Sequence, residues 1–273
     1  MIAAAWIVAR PAREPEYDGV PLSDYLRSLT YSQVRLERSA RDAIRAIGSN
    51  AVPHLVKILD ARESRFKTWF NEAADRQSFI RFRFTPLAAR QTQAAMACQE
   101  LGPIAAPAIP SLAKLIDDPE LGMWVIAALA EIGPQTFPLL TNALRSRHIE
   151  NRLAAVGCLR FARPRERAVV PLLAALHEQE YRMRAIAAES LGALGLPSPA
   201  VLTALTACLD DRVTDVRLHA ARSLGWFGAS ATGSFSKLLD LHRSLGSGLE
   251  KQYVGEALFS IDPAAAEKAD LQK

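Results

Sequence analysis

Arg217-Leu-His-Ala-Ala-Arg-Ser-Leu-Gly225 decides the fold, because the chain repeats this stretch. Residues 184–192 read R-A-I-A-A-E-S-L-G, so both stretches follow the template R-x-x-A-A-x-x-L-G. The alanines and the leucine of the template share one face of a helix. Alanine lets a neighbouring helix approach closely, and a glycine after the last apolar residue can adopt the left-handed conformation that ends a helix. The template therefore predicts a tightly packed helix that ends near its glycine.

Seven copies of the template can be aligned along the chain. They close at residues 48, 102, 133, 160, 192, 225 and 262, and five of the six intervals lie between 27 and 37 residues. A second apolar run follows each of the first six copies. One helical hairpin cannot bury its apolar face alone, so the repeats predict an all-α fold, an α-α superhelix or solenoid of about seven stacked helical hairpins. Helices are predicted to end near Gly48, Gly102, Gly133, Gly192 and Gly225.

The repeat positions also set the domain organisation. The solenoid is expected over residues 17–262, with an insert at about 61–85, because the first interval between copies is 54 residues. Residues 1–16 are an apolar N-terminal stub and linker, and residues 263–273 a polar C-terminal tail. The apolar start, Met1 to Val8, is shorter than the about 20 residues that span a bilayer. The sequence as written therefore predicts no transmembrane helix and a cytoplasmic protein, or a membrane-anchored one if the true start lies upstream.

Composition sets few limits on function. The net charge is +4 and the pI about 9.1, which permits contact with nucleic acid or anionic lipid without arguing for either. Cys98, Cys158 and Cys208 are 60 and 50 residues apart, too sparse for a disulfide framework or a zinc site. They are expected to be reduced side chains that behave as small hydrophobes.

The repeats over roughly residues 17–262 resemble those of HEAT-repeat proteins. Their period is shorter than the usual HEAT length and is similar to the HEAT-like repeats of phycobilin lyases, in which D-x-x-x-V-R-x-x-A-A-x-x-L-G recurs. Residues 211–225 are close to that pattern. The stretch from Glu16 to Leu26 and the run Arg81-Phe-Arg-Phe84 resemble a class of bacterial HEAT-repeat proteins of undefined role, which often begin with a membrane anchor. The resemblance implies the fold and an extended binding surface, and no particular activity.

Two segments break the repeat and are the predicted places for partner binding. The insert is rich in aromatic side chains, and the run from Arg145 to Arg167 holds seven arginines against two glutamates. Aromatic and arginine side chains are frequent anchors of interfaces. The alternative for both segments is structural, with aromatics packed on the edge of the solenoid and arginines that cover apolar surface. The candidate partner-binding residues are Arg65, Trp69, Arg81, Arg83, Arg145, Arg147 and Arg152.

The sequence shows no constellation of catalytic residues. The five histidines are scattered without an H-x-x-x-H pair, and three S-x-x-K matches lack their companion motifs. We therefore expect no catalytic residues, no metal and no cofactor. The predicted function is a non-catalytic scaffold that binds a protein or peptide partner. The arginines of the candidate residues suit an acidic partner. The alternatives are a DNA-binding or DNA-glycosylase-like HEAT solenoid and a phycobilin-lyase-like enzyme, although the weak net charge does not favour a nucleic acid partner.

Overall fold

The computed structural model describes residues 14–29, 34–63, 85–269 and 271, and for 34–37 it describes the backbone alone. The first elements are a small antiparallel hairpin, β1 (Glu16–Tyr17) and β2 (Val20–Pro21), and helix α1 (Leu22–Ser28). Asp18 and Gly19 join the two strands with φ values of 50° and 72°, as a two-residue hairpin turn requires.

Seven pairs of helices follow in chain order within the described residues, and the predicted all-α solenoid fold is confirmed. In five of the pairs the joining turn contains a short 3₁₀ segment. The pairs are α2 (Val34–Ile47) and α3 (Val52–Leu59), α4 (Leu87–Leu101) and α5 (Ile109–Leu115), α6 (Gly122–Ile132) and α7 (Phe137–Ala143), α8 (Ile149–Cys158) and α9 (Glu166–Ala175), α10 (Tyr181–Leu194) and α11 (Pro199–Cys208), α12 (Thr214–Trp226) and α13 (Phe235–Ser244), and α14 (Leu249–Ile261) and α15 (Pro263–Lys268).

The chain divides into two compact units, Met1–Ser111 and Leu112–Lys273. In unit 1, α2 packs against α4, and Glu100 of α4 accepts hydrogen bonds from Arg41 and Arg45 of α2. In unit 2, the first helices of the pairs, α6, α8, α10, α12 and α14, pack against one another in succession. The helical pairs of unit 2 are therefore stacked in the order of the chain.

Small polar side chains lock the register between first helices in unit 2. Ser190 Oγ in α10 donates to the carbonyl of Val156 in α8 over 3.3 Å. Ser223 Oγ in α12 donates to the carbonyl of Ala188 in α10 over 2.9 Å. Both serines lie six residues after the template arginine, so the same contact recurs from one repeat to the next. A serine side chain is short, so its hydroxyl reaches the backbone of a neighbouring helix only because the two helices approach closely.

Two of the helix ends predicted near template glycines lie one or two residues farther along, at Leu194 and Trp226. Helices α10 and α12 continue beyond Gly192 and Gly225. Their turns come three residues later, at Gly195 and Gly228, whose φ values of 67° and 53° are in the left-handed region. The other three predicted ends are confirmed by positive φ at Gly48, Gly102 and Gly133.

In these two copies the template glycine provides clearance between neighbouring helices and does not end its own helix. A methyl group at Gly192 would lie 2.5 Å from Oγ of Ser223 in the next first helix. A methyl group at Gly225 would lie 2.9 Å from Cα of Ala257. Distances of this size are far below van der Waals contact, so any side chain here forces the helices apart.

The template arginine connects its helix to the preceding turn by a hydrogen bond. In three copies its guanidinium donates to the carbonyl six residues upstream, in the turn before the helix. These pairs are Arg152 with Ser146 at 2.7 Å, Arg184 with Glu178 at 2.9 Å and Arg217 with Asp211 at 2.9 Å. Lys251 makes the same contact with Leu245 at 3.5 Å, so the seventh copy closes at Phe259 and not at Asp262.

Residues 263–273, expected as a polar tail, begin with helix α15, which packs on α14. Asp262 caps this helix, because its Oδ1 accepts a hydrogen bond from the Ala265 N–H over 2.9 Å. Pro263 occupies the first turn, where its missing N–H is not needed. Ala266 is fully buried. The seventh hairpin is therefore completed by residues that the sequence pattern assigned to the tail.

Candidate interaction surface

The predicted binding residues of the insert, Arg65, Trp69, Arg81 and Arg83, lie outside the described residues. The remaining candidates, Arg145, Arg147 and Arg152, lie at the start of α8 in unit 2, and we refer to them as the α8-start arginines. Arg145 is exposed. Arg147 and Arg152 both contact other groups of the chain.

Arg147 and Arg152 differ in how much of each side chain a partner can reach. Arg147 is 78% exposed, and its Nε lies 3.4 Å from Asp117 Oδ2 in a surface ion pair. Arg152 is half-buried and donates to the Ser146 carbonyl, the template contact that closes its repeat. The geometry therefore gives Arg152 a structural task, while Arg147 keeps most of its surface in solvent.

Four further arginines of the basic run lie beyond the other end of α8, and we call them the α8-end arginines. They rest on carbonyl oxygens and aromatic rings, and no carboxylate of the described residues lies within 4 Å of their guanidinium groups. Their contacts are Arg160 over the Phe161 ring at 5.0 Å, Arg163 to the Ala162 carbonyl at 3.0 Å, Arg165 to the Leu194 carbonyl at 3.2 Å and Arg167 over the Phe137 ring at 4.5 Å. A helix of ten residues is about 15 Å long. The predicted basic run is thus two clusters at opposite ends of α8.

The last turn of α10 lies between an aromatic ring and a cation. The ring of Trp226 lies against Gly192, since a methyl group on that glycine would be 2.8 Å from Trp226 Cε3. Arg165 meets the same turn at the Leu194 carbonyl. Ala193 is exposed at this turn. The turn therefore presents a floor of small residues beside a large ring and a guanidinium.

We call this feature the α10 slot and define it by Phe161, Arg165, Ala193, Arg222 and Trp226. Phe161 and Trp226 are 43% and 52% exposed and lie nine residues after their template arginines, with Ala193 at the equivalent position between them. The Arg222 guanidinium lies 5.1 Å from the Trp226 ring centroid. Neither aromatic was among the candidate binding residues of the sequence analysis, although both lie nine residues after a template arginine.

Charges near the slot are partly compensated. Glu189 of α10 pairs with Arg222 at 2.7 Å and lies 3.4 Å from His219 Nδ1. Burial lowers the pKa of His219, an effect that the carboxylate of Glu189 opposes.

Over the whole of unit 2, residues 112–273 hold 18 lysines and arginines against 18 aspartates and glutamates, so the net positive charge of the chain lies in unit 1.

The family model of HEAT repeats matches residues 137–225 and 171–242. The chain carries HEAT repeats. The matched residues run from α7 into α13 and so include every residue of the α10 slot. No curated protein sequence matches the chain.

Solved structures with similar helical arrays have low identity to this HEAT-repeat chain. An engineered protein has a TM-score of 0.49 at 19% identity, and the match covers 91% of this chain and 70% of the engineered chain. The complex of CpcE and CpcF of phycocyanin lyase from Nostoc sp. PCC7120 has a TM-score of 0.44 at 17% identity, with coverages of 93% and 98%. Human deoxyhypusine hydroxylase in complex with glycerol has a TM-score of 0.38 at 17% identity, with coverages of 89% and 84%.

Unit 2 has an open cleft with a mostly apolar lining. The cleft, about 740 Å³, lies between α9 and α11 and is lined by Leu173, His177 and the alanines of α11. Cys208 also lines this cleft, and burial raises the pKa of its thiol to about 11, so it is protonated at neutral pH. Burial likewise raises the pKa of Cys98 and Cys158 to about 12. None of the three thiols is poised as a nucleophile, since the thiolate is the reactive form.

Two further features of the described residues concern metal ions and membranes. No group of three or more His, Cys, Asp or Glu side chains in the described ranges is arranged to hold a metal ion. Among the described helices, none is both long enough and apolar enough to cross a bilayer.

Proposed function

We propose that the chain is a non-catalytic scaffold that binds a protein partner in the α10 slot of unit 2. The observation that carries the proposal is the pair of exposed aromatic rings, Phe161 and Trp226, at equivalent positions of two repeats. Tryptophan and arginine are the residue types that most often dominate binding energy at protein interfaces. A ring that leaves half of its surface in water gains free energy when a partner covers it.

The slot is also held in shape before any partner arrives. The Trp226 ring rests on the backbone of Gly192 and is flanked by Arg222, which is itself fixed by its ion pair with Glu189. Side chains that are already ordered lose little conformational entropy on binding, so more of the contact energy appears as affinity. A rigid helical scaffold with preorganised anchors is suited to binding.

The charges of unit 2 support a protein partner over DNA. Nucleic acid binding needs a positive surface that neutralises several phosphates. Unit 2 has equal numbers of acidic and basic residues, and its basic run is divided between the two ends of α8. The protonated state of all three cysteines supports the non-catalytic part of the proposal.

The test is affinity capture from lysate of the cell of origin with three baits. These are the wild type, the double variant Phe161→Ala with Trp226→Ala, and the control Val170→Ala, which removes a 75% exposed side chain on α9 outside the slot. Proteins held by the wild type and the control should be lost from the double variant, while thermal melts of the three baits agree. The same set of proteins on all three baits would refute binding in the slot.

The sequence-based prediction that Arg145 and Arg147 bind a partner stays a prediction. Both are exposed, but they lie at the other end of α8 from the α8-end arginines. Charge reversal at these two positions provides a matched comparison for the slot, because it changes the charge of unit 2 without touching the slot.

A further inference from the structure

We infer that the segment bound in the α10 slot carries carboxylates beside a bulky apolar side chain. This inference rests on the proposed function and adds the chemistry of the partner. It follows from the cations around the slot, the apolar surface between them and the charge of the surrounding unit.

Arg165 of the slot and the neighbouring Arg163 have N–H donors that no group of the described residues uses. A guanidinium has five N–H donors. Arg165 uses Nη1 on the Leu194 carbonyl, and Arg163 uses Nη1 on the carbonyls of Ala162 and, at 3.4 Å, Phe161. Both arginines are exposed, and no carboxylate of the described residues lies within 4 Å of either. Their other donors therefore face solvent, where a carboxylate can accept two parallel hydrogen bonds from one guanidinium.

Other arginines of unit 2, including Arg222 of the slot, are paired with carboxylates. Arg182 pairs with Glu150 at 3.2 Å and with Glu180 at 3.4 Å. Arg184 pairs with Asp211 at 2.7 Å. Around the end of α8, by contrast, the guanidinium groups lie on carbonyls and rings. Positive charge without an internal counter-ion is complementary to a negatively charged partner.

The apolar part of the slot sets the second half of the inference. Phe161 and Trp226 are on repeats whose first helices are two steps apart, which corresponds to roughly 16–20 Å. A strand rises about 3.3 Å per residue, so an extended segment of about six residues spans this distance. Ala193, at the equivalent position of the repeat between them, is exposed and carries only a methyl group, so a bulky apolar side chain of the segment is expected to pack on it. Arg163 and Arg165 both follow Phe161 in the chain, so carboxylates on the Phe161 side of that side chain are the ones expected to reach them.

Nucleic acid is the less suitable anionic ligand for this surface. The carboxylates of Glu166 and Glu189 lie in the same repeats as the slot and would repel a continuous phosphate backbone. Unit 2 as a whole is neutral in formal charge. A peptide can place its few carboxylates where the arginines are and avoid the glutamates.

The experiment is selection of a phage-displayed random peptide library on the full chain, followed by binding measurements with synthetic fluorescent peptides. Selected peptides should share Asp or Glu beside an aromatic or leucine residue. Their affinity should fall at least about tenfold for Arg163→Glu with Arg165→Glu, and much less for the matched control Arg145→Glu with Arg147→Glu. Neutral versions of the peptides, with Asn and Gln for Asp and Glu, should lose affinity to the same extent.

Salt titration of the unaltered protein provides a readout that does not depend on how the variants fold. Binding of the acidic peptides should weaken markedly as salt rises, because exposed charge pairs are screened. Selected peptides that lack acidic residues but need Phe161 and Trp226 would overturn this inference and leave the proposed function standing. Peptides insensitive to both the arginine and the aromatic variants would overturn both. Duplex DNA that displaces the peptides at physiological salt would overturn the inference in favour of nucleic acid.

Discussion

Removal of the Asp211 carboxylate should isolate a buried positive charge and cost unit 2 much of its stability. The Arg184 side chain is 9% exposed and donates from Nε and Nη2 to Asp211 over 2.7 and 2.9 Å. Its Nη1 donates to the carbonyls of Glu178 and Gln179, both over 2.9 Å, and this anchors the guanidinium when the carboxylate is gone. Breaking one side of a buried pair costs about 3–5 kcal/mol. We expect about 3 kcal/mol for Asp211→Ala, at the lower end of that range, because the Asp211 side chain keeps 13% of its surface exposed.

The adjacent residue provides the control. The Asp210 side chain is 71% exposed and forms a surface ion pair with Lys237, so Asp210→Ala should cost less than about 1 kcal/mol. Urea unfolding followed by circular dichroism at neutral pH measures both losses. A double-mutant cycle of Asp211→Ala with Arg184→Met should show strong coupling, because the two residues share one interaction. Equal losses for the two aspartate variants, or additive losses in the cycle, would refute the assignment of a buried pair.

Three further predictions concern packing and pH. Gly192→Ala should destabilise the fold by about 1–3 kcal/mol through overpacking. The control is Gly157→Ala, because its new methyl would lie 3.7 Å from the nearest neighbouring atom. This variant should gain up to about 1 kcal/mol of stability from the higher helix propensity of alanine. Urea melts in which Gly192→Ala is more stable than Gly157→Ala would contradict the clearance role of Gly192. Ala187→Leu and Ala220→Leu replace fully buried residues and should each cost about 1–3 kcal/mol, whereas melts like that of the wild type would show that the helix register is wrong. Hydrogen bonding from its arginine partner lowers the pKa of Asp211, so the carboxylate stabilises the fold above its unfolded pKa of about 3.9 and loses this contribution as the pH falls through the folded pKa. The difference in unfolding free energy between wild type and Asp211→Asn should therefore be constant near neutrality and shrink below pH of about 4, and a constant difference across this range would disprove the linkage.

The order of the helical hairpins over the described residues could be predicted because it depends on local periodicity, whereas the helix within residues 263–273 was expected as a tail. Ala187 and Ala220 are fully buried, as the spacing of the template requires. The function of the template glycine could not be predicted, since Gly192 and Gly195 are three residues apart and either can end a helix. Only the position of Ser223 in the next first helix shows that Gly192 must lack a side chain.

The candidate site shows a similar limit of sequence reasoning. Arg152 and Arg165 are close in the sequence, yet α8 separates them, because a helix carries the chain from one edge of the repeat to the other. The structural task of Arg152 depends on a turn carbonyl six residues upstream, a contact that charge patterning does not reveal. Phe161 and Trp226, on the other hand, could have been found by extending the template one residue beyond its closing position.

Photo-crosslinking from the floor of the slot tests the central claim most directly. A photoreactive amino acid at Ala193, which is exposed at the last turn of α10, reports what lies in the slot, and the same group at Val170 on α9 is the control. The account predicts that a protein captured by the wild type crosslinks from position 193 and not from position 170. Crosslinking of that protein from position 170, with none from position 193, would contradict the claim that the α10 slot is where the partner binds.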